Sequence, residues 1–197
     1  MKVIGLTGSI GMGKTTAANL FRLRRIPVYD ADRAVHRLSE KGGRAVPAIA
    51  KAFPDAVRHG AVDRKALGAL VFKNPKALKK LESILHPLVA EERSAFLRRQ
   101  RSRRRPVVVL DIPLLFETGG EALADHILVV SAPAFLQTAR VMARPGMSAD
   151  KLTGILSHQM ADRDKRRRAD LVIPTGTGKR AALRLIDRLL AELRKRD

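Results

Sequence analysis

The amino-acid sequence predicts an α/β fold: a parallel sheet with helices on both faces, interrupted by one long helical stretch. Three observations predict it. Short apolar, mostly β-branched runs recur at Lys2–Thr7, Ile26–Asp30, Pro106–Asp111, Asp125–Val130 and Ala169–Ile173, separated by stretches of helical periodicity. The runs Pro106–Asp111 and Asp125–Val130 lack the polar alternation of a half-exposed strand, as expected of central parallel strands covered on each face. The first run ends in a glycine-rich turn that leads directly into a helical pattern.

In order along the chain, Lys2–Thr7 is read as a buried strand. A helix from Lys14 to about Arg25 follows, with Ala17, Ala18, Leu20, Phe21 and Leu23 on its apolar face. Ile26–Asp30 is a second strand, its proline at the entry where a missing N–H is tolerated. From Ala31 to about Arg105 the pattern is helical, with breaks at Gly42-Gly43, Pro54-Asp55, Asn74-Pro75 and His86-Pro87. Asn74-Pro75 reads as an N-cap followed by proline in the first helical position. This stretch is too long for a simple crossover and is expected to form an inserted subdomain. Beyond the third and fourth strands come a helix over 133–144, a Pro145-Gly146 turn, a helix over 148–159, the last strand and a terminal helix from about Lys179. No internal repeat is present.

Composition narrows the function. The 197 residues contain no cysteine, which excludes a disulfide framework, a zinc–thiolate site, an iron–sulfur cluster and a cysteine nucleophile. The longest apolar runs fall well short of the roughly 18 residues a bilayer span needs. A soluble, cytoplasmic protein with no membrane partner is expected. Lys and Arg total 39 against 19 Asp and Glu, a formal charge of +20, which suits polyanions. Yet aromatics are only 4% and nowhere interleave with the basic residues as a base-stacking platform would. The densest runs, Arg98–Arg105 and Lys165–Arg168, read as solvated helix ends, so a nucleic-acid partner is not expected.

Gly8-Ser9-Ile10-Gly11-Met12-Gly13-Lys14-Thr15 satisfies G-x-x-x-x-G-K-[ST], the P-loop. Small residues let the backbone wrap so that N–H groups point at phosphate oxygens, and the following helix adds its unpaired amides and dipole. Lys14 is expected to reach the β/γ oxygens of a nucleotide, and the Thr15 hydroxyl to ligate Mg²⁺. Asp111, ending an apolar strand, could support Mg²⁺ through water or simply cap a strand end. Asp30 and Asp32 stand at the C-terminal end of the second strand, the edge where open parallel sheets bind ligands. One of them could accept the proton of an attacking hydroxyl, and Asp32 could equally complement a helix dipole. Arg140 and Arg144 lie four apart on one helix face, ahead of Pro145-Gly146, where a mobile helix pair would bring charge over a phosphate site, or they are two solvated arginines among many. The five histidines show no metal-ligand spacing, and no Asn-Lys-x-Asp guanine motif occurs.

Taken together, Gly5–Thr16, Asp30-Ala31-Asp32, His86-Pro87-Leu88, the run Asp111–Glu117, Gln159 and Ala169–Ile173 resemble the dephospho-CoA kinase family, in its order and over nearly the whole chain. The resemblance implies transfer of the ATP γ-phosphate to the ribose 3′-hydroxyl of dephospho-CoA. It also implies a P-loop kinase core (about 1–30, 106–135 and 169–197), a helical acceptor-binding insert (about 31–105) and a helical lid (about 136–168). By position, Gly8, Gly11, Met12, Gly13, Lys14, Thr15 and Thr16 would hold ATP. Asp32 would be the catalytic base, assisted by Lys14 and Arg140, with His86 and Glu117 on the acceptor side and Thr15 and Asp111 near Mg²⁺. A monomer or weak oligomer is expected. Ser9, Pro145 and Pro174 depart from the family pattern. Another small-molecule kinase, of nucleosides or nucleoside monophosphates, would share the P-loop and lid but not the later motifs.

Overall fold

The computed structural model describes residues 1–71 and 74–195, the side chain of Lys195 excepted; residues 72–73 of the expected insert and 196–197 of the expected core lie outside them. In chain order the elements begin with β1 (Lys2–Thr7), α1 (Lys14–Leu23), β2 (Val28–Asp30), α2 (Ala31–Ser39) and α3 (Val46–Ala52). A short hairpin, β3 (Val57–Arg58) and β4 (Ala61–Val62), precedes α4 (Arg64–Val71) and α5 (Pro75–Ser102). Then come β5 (Val107–Asp111), β6 (His126–Ser131), α6 (Ala134–Met142), α7 (Ala149–Ser157), α8 (Asp162–Arg167), β7 (Leu171–Pro174) and α9 (Lys179–Lys195). The chain divides into two compact units, one of Met1–Tyr29 with Gln100–Asp197, the other of Asp30–Arg99.

The main sheet runs β2-β5-β1-β6-β7, with β1 pairing parallel to both β5 and β6, and β6 to β7. Alternate residues feed opposite faces, as strand geometry requires. Ile4, Leu6, Val107, Val109, Leu128, Val130 and Ile173 pack with Ala17, Ala18, Leu20 and Phe21 of α1 and with Ala182, Ile186, Leu190 and Leu193 of α9. Val3, Val108, Leu110 and Val129 are buried on the other parity. Both faces are thus covered, which is why the strands read as unbroken apolar runs.

The second unit has its own core, in which Leu38, Ala45, Val46, Ile49, Ala56, Val62, Leu67 and Leu81 are buried. Two expectations fail here. The stretch 31–105 is not wholly helical, because β3 and β4 pair across His59 and Gly60, with φ of 52° and 77°. Two positive-φ central residues make the primed turn that suits a hairpin, but histidine stands where Asn or Asp would have signalled it. The helix also does not break at His86-Pro87: α5 runs through, with Pro87 inside it. An interior proline forfeits a backbone hydrogen bond. Continuity is favoured by Leu81, Ile84, Leu85, Leu88 and Val89, all of which pack into this core across the proline. Asn74 does cap α5, its Oδ1 accepting from the Ala77 N–H at 3.1 Å.

Candidate active site

The turn from Gly8 to Gly13 joins the C-terminal end of central β1 to α1. Gly13 is the N-cap of α1, and no side chain caps that helix. The first amides and the positive dipole end are therefore available to an anion. Gly11 and Gly13 have φ of +76° and +89°, a left-handed backbone. A Cβ on Gly11 would lie 2.6 Å from Val141 Cγ2, and one on Gly13 would lie 2.9 Å from Thr175 Oγ1. Glycine is needed at both.

Three successive carbonyls of this turn are held from outside. Gln137 Nε2 donates to Ile10 O (2.8 Å), Arg140 Nη1 to Gly11 O (3.3 Å) and Thr175 Oγ1 to Met12 O (2.7 Å). A trans planar peptide points its N–H opposite to its C=O. The amides of Gly11, Met12 and Gly13 are thereby turned away from those three side chains. The Met12 amide closes the turn onto Ser9 O at 3.1 Å. The Met12 side chain is buried, its sulfur accepting from the Ala132 N–H. The Ile10 amide is taken by Gln159 Oε1 at 3.0 Å. Arg140 further donates through Nη1 to Thr175 Oγ1 and through Nη2 to Thr175 O, at 3.0 and 2.9 Å. Its guanidinium, expected over the phosphates, sits here against the carbonyl side of the turn. Arg144, one helical turn on, is exposed.

Lys14 Nζ lies 2.6 Å from Asp111 Oδ1 at the end of β5, and Asp111 is 3% exposed. Lys14 and Asp111 thus meet where the P-loop opens, while Thr15 is exposed and Thr16 half-buried. Thr15 and Asp111 offer hard oxygen donors. Among the described residues no group of three or more His, Cys, Asp or Glu could hold a metal ion.

Behind the P-loop lies a second polar network. Lys165 is fully buried, and its Nζ is 2.8 Å from Glu117 Oε1 and 3.4 Å from Pro113 O. Pro113 O also accepts from Thr7 Oγ1 at 2.9 Å, and Glu117 Oε1 accepts from the Met160 N–H at 2.8 Å. Met160 follows Gln159, the residue holding the Ile10 amide, so the bonds run from Lys165 through Glu117 to the P-loop. Burial opposes ionisation of Glu117, but the Lys165 ammonium and backbone N–H donors outweigh it and hold the carboxyl below the ordinary glutamate range. Glu117 Oε2 is buried without a hydrogen-bond partner.

The reading of Lys165–Arg168 as a solvated helix end is corrected at Lys165: α8, unforeseen in the sequence, turns its lysine inward while Arg166, Arg167 and Arg168 stay exposed. Lys165, Gln137 and Thr175 are the site residues that sequence reasoning missed. Gln137 alone left a signal, a polar residue four before Val141 on the buried stripe of α6. Asp32 stands in the first turn of α2, whose N-cap Asp30 accepts from the Arg33 N–H at 2.9 Å. His86 is exposed on α5.

The three departures fit their places. Ser9 is not among the residues with positive φ. Arg144-Pro145-Gly146-Met147 forms a turn closed by Met147 N–H on Arg144 O, with Gly146 at φ 72° where a type II turn wants glycine. Pro174 ends edge strand β7, and Thr175 N–H makes the next sheet bond, to Ser131 O at 2.8 Å.

Residues 2–180 match the family model described as dephospho-CoA kinase. A dephospho-CoA kinase from Mesorhizobium japonicum is 52% identical over 98% of both chains. A crystal structure from Thermus thermophilus superposes with a TM-score of 0.84 at 40% identity, covering 98% of this chain and 97% of that one. Dephospho-CoA kinase from Campylobacter jejuni, at 22% identity and TM-score 0.66 over 98% and 97% of the two chains, shares the fold. With its P-loop on the central strand of a parallel sheet, this chain belongs to the dephospho-CoA kinase family.

Proposed function

We propose that the chain transfers the terminal phosphoryl group of ATP to the ribose 3′-hydroxyl of dephospho-CoA, completing coenzyme A. The bond from the γ-phosphorus to the oxygen of ADP breaks, and a bond from that phosphorus to the 3′-oxygen forms. The hydroxyl proton passes to Asp32, the role the family resemblance assigns it. The observation that carries this reading is the uncapped α1 N-terminus, with Lys14 and Asp111 paired at 2.6 Å beside it, in a chain of this family.

Phosphoryl transfer asks for positioning and charge neutralisation more than covalent chemistry. The amides of Gly11 and of Gly13 to Thr16 cradle the phosphates, and Lys14 neutralises the β/γ oxygens. Arg140 holds the turn and adds positive charge beside it. Thr15, with Asp111 through water, would hold Mg²⁺, which neutralises phosphate charge when bound. His86 is assigned to the acceptor side. Glu117 acts there indirectly, by fixing Met160 and Lys165.

The test is ADP release measured with dephospho-CoA, AMP, adenosine or shikimate as acceptor, with and without Mg²⁺. Dephospho-CoA should be strongly preferred, and Mg²⁺ required. Equal turnover on AMP or adenosine, or no ADP release with dephospho-CoA, overturns the reading.

A further inference from the structure

The +20 charge exceeds what two phosphorylated substrates ask of one cleft, and the fold shows where much of it goes. A parallel sheet has two edges. The P-loop lies at the C-terminal edge, roughly 20 Å from the other by the rise of six-residue β1. At the opposite, N-terminal edge the chain enters β2 through Arg22-Leu23-Arg24-Arg25, β5 through Arg101-Ser102-Arg103-Arg104-Arg105, and β1 through Lys2. In the sheet β2, β5 and β1 are neighbours, so runs far apart in sequence converge on one rim. Lys2 N–H donates to Pro106 O at 2.7 Å, joining two of these entries directly.

Arg25, Arg101, Arg103, Arg104 and Arg105 are exposed, and among the described residues they form no ion pair. Arg24 is offset by Asp187 at 2.6 Å. The β6–β7 half differs. There Asp125 and Asp170 serve backbone amides of the sheet, Arg168 pairs with Glu121, and Arg167 lies 3.8 Å from Asp164. The β6–β7 half is not free of exposed basic groups, since Arg166, Arg188 and Arg194 are exposed there, but among the described residues the converging run of five arginines without an ion pair belongs to the β2-β5-β1 half.

The backbone gives a second, independent observation. α1 and α5 end in the same motif. Ile26 N–H bonds Phe21 O and Arg25 N–H bonds Arg22 O, while Arg105 N–H bonds Gln100 O and Arg104 N–H bonds Arg101 O. This is the Schellman termination, whose left-handed residue is usually glycine. Here it is Arg25 in one helix and Arg104 in the other, at φ 58° and 50°. Both helices bear a conformational cost at this edge and gain a guanidinium on a rigid turn.

We propose that this edge binds the phosphate backbone of duplex nucleic acid. Guanidinium groups match phosphate in a bidentate way. No exposed aromatic lies on the edge for stacking on single strands, and Leu23, 63% exposed, is its one large exposed apolar side chain, too little to insert into a bilayer. Binding is sequence-independent and leaves the kinase reaction at the other edge untouched.

The experiment is fluorescence anisotropy of short mixed-sequence duplex RNA and DNA with the full chain, at saturating ATP, from about 50 to about 200 mM salt. With about five phosphates met, log K should fall against log salt with a slope of about −4 to −5. The Arg25→Gly/Arg104→Gly variant should unfold at the same or higher temperature and keep its ADP-release rate, yet lose about 2 from that slope. Arg101→Gln/Arg103→Gln/Arg105→Gln should lose most of the remainder. A slope near zero, unchanged binding by both variants, or displacement of the duplex by ATP overturns the proposal. So does binding to phosphatidylglycerol vesicles but not to duplex.

Discussion

Replacing Lys165 by Met removes one ammonium from a site with no solvent access and leaves the rest of the packing nearly intact. The Glu117 carboxylate then loses its cation, while its Oε2 already lacks a hydrogen-bond partner. Stranding one member of a buried ion pair costs about 3–5 kcal/mol. The Glu117 side chain is 15% exposed, which places the loss near the lower figure, about 3 kcal/mol. For a chain of this size each kcal/mol moves Tm by about 2–4 °C, so thermal unfolding should begin about 6–12 °C lower. Lys165→Met/Glu117→Gln removes the stranded charge and keeps an acceptor for the Met160 N–H, so it should recover at least half of the loss. The pH dependence has a definite sign. Because the folded Glu117 carboxyl titrates below its ordinary value, its stabilisation is complete above about pH 4.3 and lost as pH falls through the lower folded value. The gap between wild type and Lys165→Met should close in that acid range. Urea unfolding of all three proteins decides the matter. A Lys165→Met protein within about 0.5 kcal/mol of wild type refutes the reasoning, as does a double variant weaker than the single.

Four further outcomes follow from the same geometry. Lys14→Ala should lower turnover with ATP and dephospho-CoA by about 10²-fold or more while thermal unfolding changes little, which steady-state kinetics beside a melting curve will show. Gly11→Ala meets both a left-handed φ and the Val141 methyl, so it should cost about 1–3 kcal/mol and raise the KM for ATP, read by denaturant melts and kinetics. Thr175→Val keeps the volume but frees Met12 O and one Arg140 donor, so the KM for ATP should rise several-fold, with Thr175→Ser restoring it. Pro87→Ala should stabilise the second unit by up to about 3 kcal/mol, since it returns a backbone donor to an exposed helix interior; loss of dephospho-CoA affinity alongside would tie this proline to acceptor binding.

Much of the sheet is legible in the sequence because its three central strands, β1, β5 and β6, are covered on both faces, so burial alone writes them as apolar runs. The P-loop is legible because its chemistry needs particular residue types at fixed spacing, and Gly11 and Gly13 sit where only glycine fits. Other parts rest on tertiary context that leaves no periodic trace. The β3–β4 hairpin pairs only two residues per strand and turns through His59. α8 is six residues long and dominated by charge, so its inward face is a single residue, Lys165, hidden within a basic run. Pro87 is a strong local signal for a break, and five apolar contacts across it prevail. The arginine rim is invisible in one dimension because 22–25 and 101–105 meet only when β2 and β5 become neighbours.

The P-loop itself shows why a motif is not yet a site. Glycines permit the turn, but permission is not orientation, and a flexible glycine-rich segment would lose part of its phosphate affinity to ordering. Here the ordering is done beforehand by groups outside the motif. Gln137 and Arg140 from α6, and Thr175 beyond β7, draw three consecutive carbonyls outward, and planarity turns the following amides inward. Gln159, anchored next to the Glu117–Lys165 pair, removes the Ile10 amide from competition. A donor array fixed in advance stabilises developing charge without reorganising at the moment of reaction, the condition under which such donors contribute most. The motif supplies Lys14 and the amides; their aim is set by residues more than a hundred positions away. On that division the segment from α6 to Thr175 is more than a cover: its side chains hold the carbonyls of the turn whose amides the proposed function assigns to the phosphates.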